Sequence, residues 1–136
     1  MTENNFKNLR SQALEPETHA KILVRAGELV ALGWTTGAGA RNERAEPVQG
    51  TSPAAISWCL TAAVFHALFE IVGIDCYQDR NASVLDSVNF WWKLMRPIHG
   101  ALAARGFRDH IVDFNDRVCT GAADAEALLR EAADQV

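Results

Sequence analysis

What the chain lacks narrows its functions first. Its 136 residues contain no Gly-Lys-Ser/Thr phosphate loop and no complete catalytic or cofactor motif. Cysteine occurs three times, as Cys59, Cys76 and Cys119, an odd number without metal-ligand spacing. That argues against a disulfide framework and against a zinc site, so no cofactor and no metal is implied. The start, Met1-Thr2-Glu3-Asn4-Asn5, is polar and does not resemble a signal peptide, which makes a reducing cytoplasm the expected compartment. Positive charge is not in excess either: the formal net charge is −4, which excludes a general attraction to nucleic acid or an anionic membrane. Internal repeats, low-complexity tracts and a second-domain linker are also missing.

What remains is the composition of an ordinary globular domain, 49% apolar and 22% charged, and long enough at 136 residues to bury a core. The longest apolar run lies between Ser52-Pro53 and Gly73. Serine caps helices, proline suits the first helical position and glycine follows the last, so a helix over about 53–72 is expected. About 20 helical residues would reach about 30 Å, enough to span a bilayer core. His66 and Glu70, the small polar residues Ser57 and Thr61, and the lack of flanking aromatic-basic belts favour a buried central helix over a membrane span. Ile56, Leu60, Val64, Phe65, Leu68 and Val72 are then the expected core.

Around that helix the periodicity predicts an all-α single domain over 1–136, with at most one short strand-like segment. Residues 1–16 read as a flexible polar lead-in with Phe6 and Leu9 as anchors. Ile22, Ala26, Leu29 and Val30 recur at helical spacing over Glu17 to Leu32, and Gly33 stops them. A long irregular connection with Gly37, Gly39 and Gly50 follows, of a length that is often functional. Asn81 is the expected cap of a third helix with Val84, Val88, Trp91, Trp92 and Met95 as its apolar stripe. Pro97 is expected to break or kink it before a short helix around Ile98, Ala101 and Leu102, which Gly106 stops. His110 to Phe114 reads as a strand-like segment or one turn. Thr120 should cap a last helix with Ala125, Leu128, Leu129 and Ala132 facing inward. Trp92 can continue the third helix's stripe while Phe90 and Trp91 flank it; if those two are not covered within the monomer, they form a partner surface, including for a homo-oligomer.

The reactive residue types give several candidate sites. Cys59 and His66 share a helical face, but seven residues rise about 10.5 Å, too far for a thiol-imidazole dyad that needs contact at roughly 3 Å. His66 can instead meet Glu70 one turn on. A second arrangement takes Cys59 as nucleophile, His110 as base and Asn115 or Asp116 as the orienting group, the chain order of papain-like cysteine hydrolases. Those enzymes seat the cysteine at a helix N-terminus, whereas the expected helix puts Cys59 almost two turns inside. Asn115-Asp116 otherwise reads as a turn or cap ahead of the last helix. Gly37-Ala38-Gly39-Ala40-Arg41 is a loop whose arginine could hold a phosphate or carboxylate.

Several pieces together resemble a small bacterial and phage domain family known only by a domain-of-unknown-function label. They are Gly33-Trp34, Gly37-Ala38, Trp58-Cys59-Leu60-Thr61-Ala62-Ala63, Phe114-Asn115-Asp116, Thr120 and Leu128-Leu129, in that order. The chain departs from the family at Ala62, where glycine is preferred, in lacking a Pro-Gly turn after Asn115, and in a longer middle segment. The resemblance implies a fold and no established activity, and its occurrence in phages and bacteria points toward a regulatory or defence-related role. Its order also implies that Trp34 or Arg41 lies near Asn115 and Asp116, around a polar depression rimmed by Trp58. The expected function is therefore a non-enzymatic helical domain that binds a partner protein or a small polar ligand, with Trp34, Arg41, Trp58, Asn115 and Asp116 as ligand residues. The alternative is a cysteine-dependent hydrolase or transferase using Cys59, His110 and Asn115 or Asp116.

Overall fold

The computed structural model describes residues 3–78 and 84–136. Its elements are α1 (Glu3–Ala13), α2 (Pro16–Leu32), β1 (Ala40–Arg41), β2 (Pro47–Val48), β3 (Ser57–Trp58), α3 (Leu60–Val72), α4 (Val84–Ala104), α5 (Ile111–Asp113) with a π-helical turn over Phe114–Val118, and α6 (Ala122–Asp134). The expected cap Asn81 lies outside the described residues. The architecture is mostly helical, but it is not all-α: the long connection folds into a three-stranded antiparallel sheet of order β2-β1-β3. Among the described residues no helix is long and apolar enough to cross a membrane.

The expected lead-in is a helix, α1, which lays Ala13 and the half-buried Leu9 on the core. Pro16 starts α2 at the position where a missing N–H costs nothing. Helix α2 buries Ile22, Leu23, Ala26, Leu29 and Val30 and packs against both α3 and α6, so it shares the centre that the sequence assigned to α3 alone. Helix α6 turns Ala125, Leu128, Leu129 and Ala132 inward, each fully buried. Its N-cap is Gly121, not Thr120; the Thr120 amide instead donates to Asp124 Oδ2.

Helix α3 begins at Leu60, not near Pro53. Ser52 does cap a turn, since its Oγ accepts from the Ala54 amide at 3.1 Å. One turn later the backbone is claimed by the sheet: Arg41 pairs with Ser57 and Ala40 with Trp58, while the Cys59 amide donates to Gly39 O at 2.7 Å. Ile56 consequently sits outside the helix and is 51% exposed, contrary to its expected burial, whereas Leu60, Val64, Leu68 and Val72 are buried and Phe65 is half-buried. Phe69 and Ile71 give α3 a solvent-facing side, so it is not surrounded on all sides. Gly73 ends it with φ 89°, the left-handed cap conformation favoured by glycine. Gly33 serves a different need: a Cβ there would overlap the Ile56 carbonyl, because the chain leaving α2 runs directly beside β3.

Helix α4 continues through Pro97 to Ala104, where a break or a kink was expected; it is not broken there. Proline withdraws one N–H from the ladder and its ring crowds the carbonyls of the preceding turn. Buried His19 lends a donor there, with Nε2 at 2.8 Å from Leu94 O. The helix is also rotated relative to the expected stripe. Phe90 and Met95 are in the core, while Val88 and Trp92 are 57% and 59% exposed. Phe90, 4% exposed, is therefore covered within the monomer, and the expected Phe90-Trp91 partner surface is not present in that form. Trp91 is half-buried between Phe65 and Phe90, with ring centroids 5.0 Å from each.

Candidate ligand-binding site

The hub of the site is Asn115, 1% exposed, on the π-helical turn. Its Oδ1 accepts from Trp34 Nε1 at 2.9 Å and from the Leu60 amide at 3.1 Å. Its Nδ2 donates to Thr35 O at 3.0 Å and to Asp116 Oδ1 at 2.9 Å. Two donors are matched by two acceptors and two acceptor positions by two donors, which sets the amide's orientation and leaves it no spare capacity. Asn115 thus caps α3 across the fold, not the last helix, and ties α3 to the 34–39 loop. Asp116 extends the tie, because its Oδ1 also accepts from the Gly37 amide at 3.3 Å.

These bonds hold open a cavity of about 360 Å³ between the Gly37–Gly39 loop, the first turn of α3, Tyr77, and the segment from Val112 to Asp116. Phe65 and Tyr77 supply its aromatic wall, their rings meeting edge to face at 5.9 Å. Cys59, Thr61 and Asp116 supply polar atoms. Tyr77, the chain's only tyrosine, keeps its proton: burial pushes its phenol up.

Trp34 bonds Asn115, as its order in the chain implied, but two other expected ligand residues are turned to structure. The Arg41 guanidinium is spent on Thr35 Oγ1, Ala45 O and Thr36 O at 2.9–3.1 Å, closing the loop from behind. Trp58 is 5% exposed and gives its Nε1–H to Gly50 O at 3.1 Å, so it lies in the core and not on the rim. Gly50 O also faces His66 Nδ1 at 2.7 Å; the other His66 nitrogen meets Glu70 at 3.1 Å, and Arg25 grips Glu70 from α2. The His66–Glu70 pair is a satisfied polar chain at the edge of the core. Among the described residues no group of three His, Cys, Asp or Glu could hold a metal ion.

Cys59 is the N-cap of α3, so the expectation that it lies two turns inside the helix is wrong, and the objection built on that falls with it. Its Sγ accepts from the Ala62 amide at 3.4 Å. The electrostatics still oppose a thiolate. Burial pushes the Cys59 thiol up, the Asp116 carboxylate adds to the rise, and the amides of Ala62 and Thr61 only partly offset it. The other parts of the hydrolase arrangement do not assemble. His110 begins α5 and lines a neighbouring cavity with His99, and among the described residues no histidine lines the cavity of Cys59. Asn115 has no bond left with which to orient an imidazole.

Thr61, Phe65, Tyr77 and Val112 line the cavity without having been expected as site residues. Thr61 and Phe65 carried a signal, lying one turn apart on the helix that Cys59 caps; Tyr77 and Val112 come from segments that reach the site through the tertiary fold.

Fold and site together define a mostly helical chain with a small antiparallel sheet and a polar-edged apolar cavity clasped by an asparagine. Residues 14–135 match the model of DUF6197, a family of unknown function, and the chain belongs to that family. No curated protein and no solved structure matches the chain.

Proposed function

We propose that this domain is a non-enzymatic binding module whose ligand is a small molecule seated in the cavity beside Cys59. The supporting observation is the clasp itself. Hydrogen bonds of the buried Asn115 to Trp34, Thr35 and Leu60 tie together three segments far apart in sequence, and the space they frame is not filled by side chains. Pockets of about 300–1,000 Å³, mostly apolar with a few placed polar groups, are the usual form of small-ligand sites. The thiol kept protonated and the missing imidazole weigh against covalent catalysis at the same place. The anion reading of the loop is weakened, since Arg41 is held by Thr35, Thr36 and Ala45 and does not line the cavity.

The test is a chemical-shift titration of the folded protein with benzyl alcohol as a neutral aromatic probe. Shifts confined to residues 37–39, 61–62, 77 and 112–116, and lost in Ala38→Phe, are the expected result. Shifts scattered over the surface, or unchanged by Ala38→Phe, would remove this reading.

A further inference from the structure

Three of the amides that begin α3 are already used. Leu60 N–H goes to Asn115 Oδ1, Ala62 N–H to Cys59 Sγ, and Ala63 N–H to Cys59 O, while the Thr61 amide bears on the same thiol. From the loop, Gly37 N–H goes to Asp116. Several of the backbone donors that would attract an anion to a helix start are therefore engaged within the protein.

What the cavity does offer is of the opposite sign. Asp116 is exposed at its edge, with Oδ1 held by Gly37 N–H and Asn115 Nδ2, and among the described residues its second oxygen takes no hydrogen bond. Among the described residues no lysine or arginine lines the cavity. Phe65 and Tyr77 bring two aromatic rings to the same cavity as that carboxylate, and aromatic faces attract cations. Cys59 and Thr61 add neutral groups able to meet N–H donors.

Resting on the reading of this cavity as a binding site, we infer that its ligand is a protonated amine carried on a compact apolar or aromatic body. The ammonium pairs with the free oxygen of Asp116, and the apolar body lies against Phe65 and Tyr77. The carboxylate needs no rearrangement to do this, because Asn115 and Gly37 already hold it.

The experiment compares benzylamine, benzyl alcohol and benzoate at neutral pH and two salt concentrations, read by shifts at the cavity amides. Benzylamine should bind about five- to tenfold more tightly than benzyl alcohol at low salt, as a partly exposed charge pair over aromatic rings allows. Benzoate should be weakest, and the amine's advantage should shrink as salt rises. Asp116→Asn keeps the Oδ1 acceptor and should abolish the preference without lowering the melting temperature by much. Equal or tighter binding of benzyl alcohol, or a preference untouched by salt, would overturn the amine assignment while leaving the cavity as a ligand site. Failure of all three probes to shift the cavity amides would overturn both. The wild-type probe and salt series decides the matter even if the variant does not fold.

Discussion

Trp34 Nε1 donates to Asn115 Oδ1 at 2.9 Å across 81 positions of sequence, and through that one oxygen the loop after α2 is fastened to the start of α3. The indole and the Leu60 amide share an acceptor that neither could find locally. The bond gives the tryptophan at the foot of a glycine-rich loop a structural partner, and Trp34 does not line the cavity.

Asn115→Ala should leave the Trp34 and Leu60 donors and the Thr35 acceptor without partners, at a cost of about 3 kcal/mol. Asn115→Asp is the sharper test. It conserves shape but replaces the amide donor by an oxygen facing Thr35 O and Asp116, which raises the new carboxyl's pKa in the folded state. Its stability relative to wild type should be highest at low pH, where the acid is neutral in both states, and fall as pH rises through the unfolded value toward the raised folded one. Denaturant curves at several pH values check this; a variant as stable as wild type at neutral pH would show that the clasp contributes little.

Wild type should behave in the reverse sense on the acid side. Burial lowers His19 from its ordinary 6.5, against a smaller upward push from its bond to Leu94 O, and burial with His110 nearby lowers His99. The unfolded chain then takes up protons first, so stability is complete above 6.5 and declines as pH falls below it. Glu70, held below its ordinary 4.5 by Arg25, adds a further loss of stability as pH falls below that value. His19→Gln, which retains a donor for Leu94 O, should flatten the upper part of the melting profile; an unchanged profile would exclude His19 as its source.

Core placement is tested at Leu60, fully buried at the head of α3, where replacement by Ala should cost about 2–5 kcal/mol. On α4 two neighbouring aromatics should separate cleanly. Phe90→Ser should cost several kcal/mol, about what loss of a buried phenylalanine side chain brings, while Trp92→Ser should leave the melting temperature nearly unaltered. The opposite ranking would mean that α4 is rotated back to the stripe expected from its sequence.

Cys59 should alkylate slowly. With its thiol pushed above the ordinary 9.0, iodoacetamide at neutral pH should react with it more slowly than with free cysteine, and Asp116→Asn should raise the rate by removing the neighbouring charge. Cys59→Ser, a better helix cap, should be neutral to stabilising by about 0.5 kcal/mol. Rapid alkylation with a low-pKa profile would reopen the nucleophile reading.

Features set within one or two helical turns were legible in the sequence. The inward face of α6, the stop at Gly73 and the His66–Glu70 pair follow from periodicity, a cap and an i,i+4 spacing, all of which are local. The Trp34–Asn115 proximity was reached only through the order of resembling pieces, and the roles of Arg41 and Trp58 were misread because their partners are carbonyls and a hydroxyl that no side-chain pattern reveals. Strands of two residues are too short to show alternation, so the sheet left no trace in periodicity. Ser52-Pro53 carried a valid capping signal, and a single turn answered it before β1 drew Ser57 and Trp58 into extended pairing. The local sequence by itself determined which residues prefer helix and where their apolar faces lie. The tertiary structure decided where α3 begins, which face of α4 is buried and what Asn115 holds, because each depends on hydrogen bonds or packing between residues brought together only when the core closes.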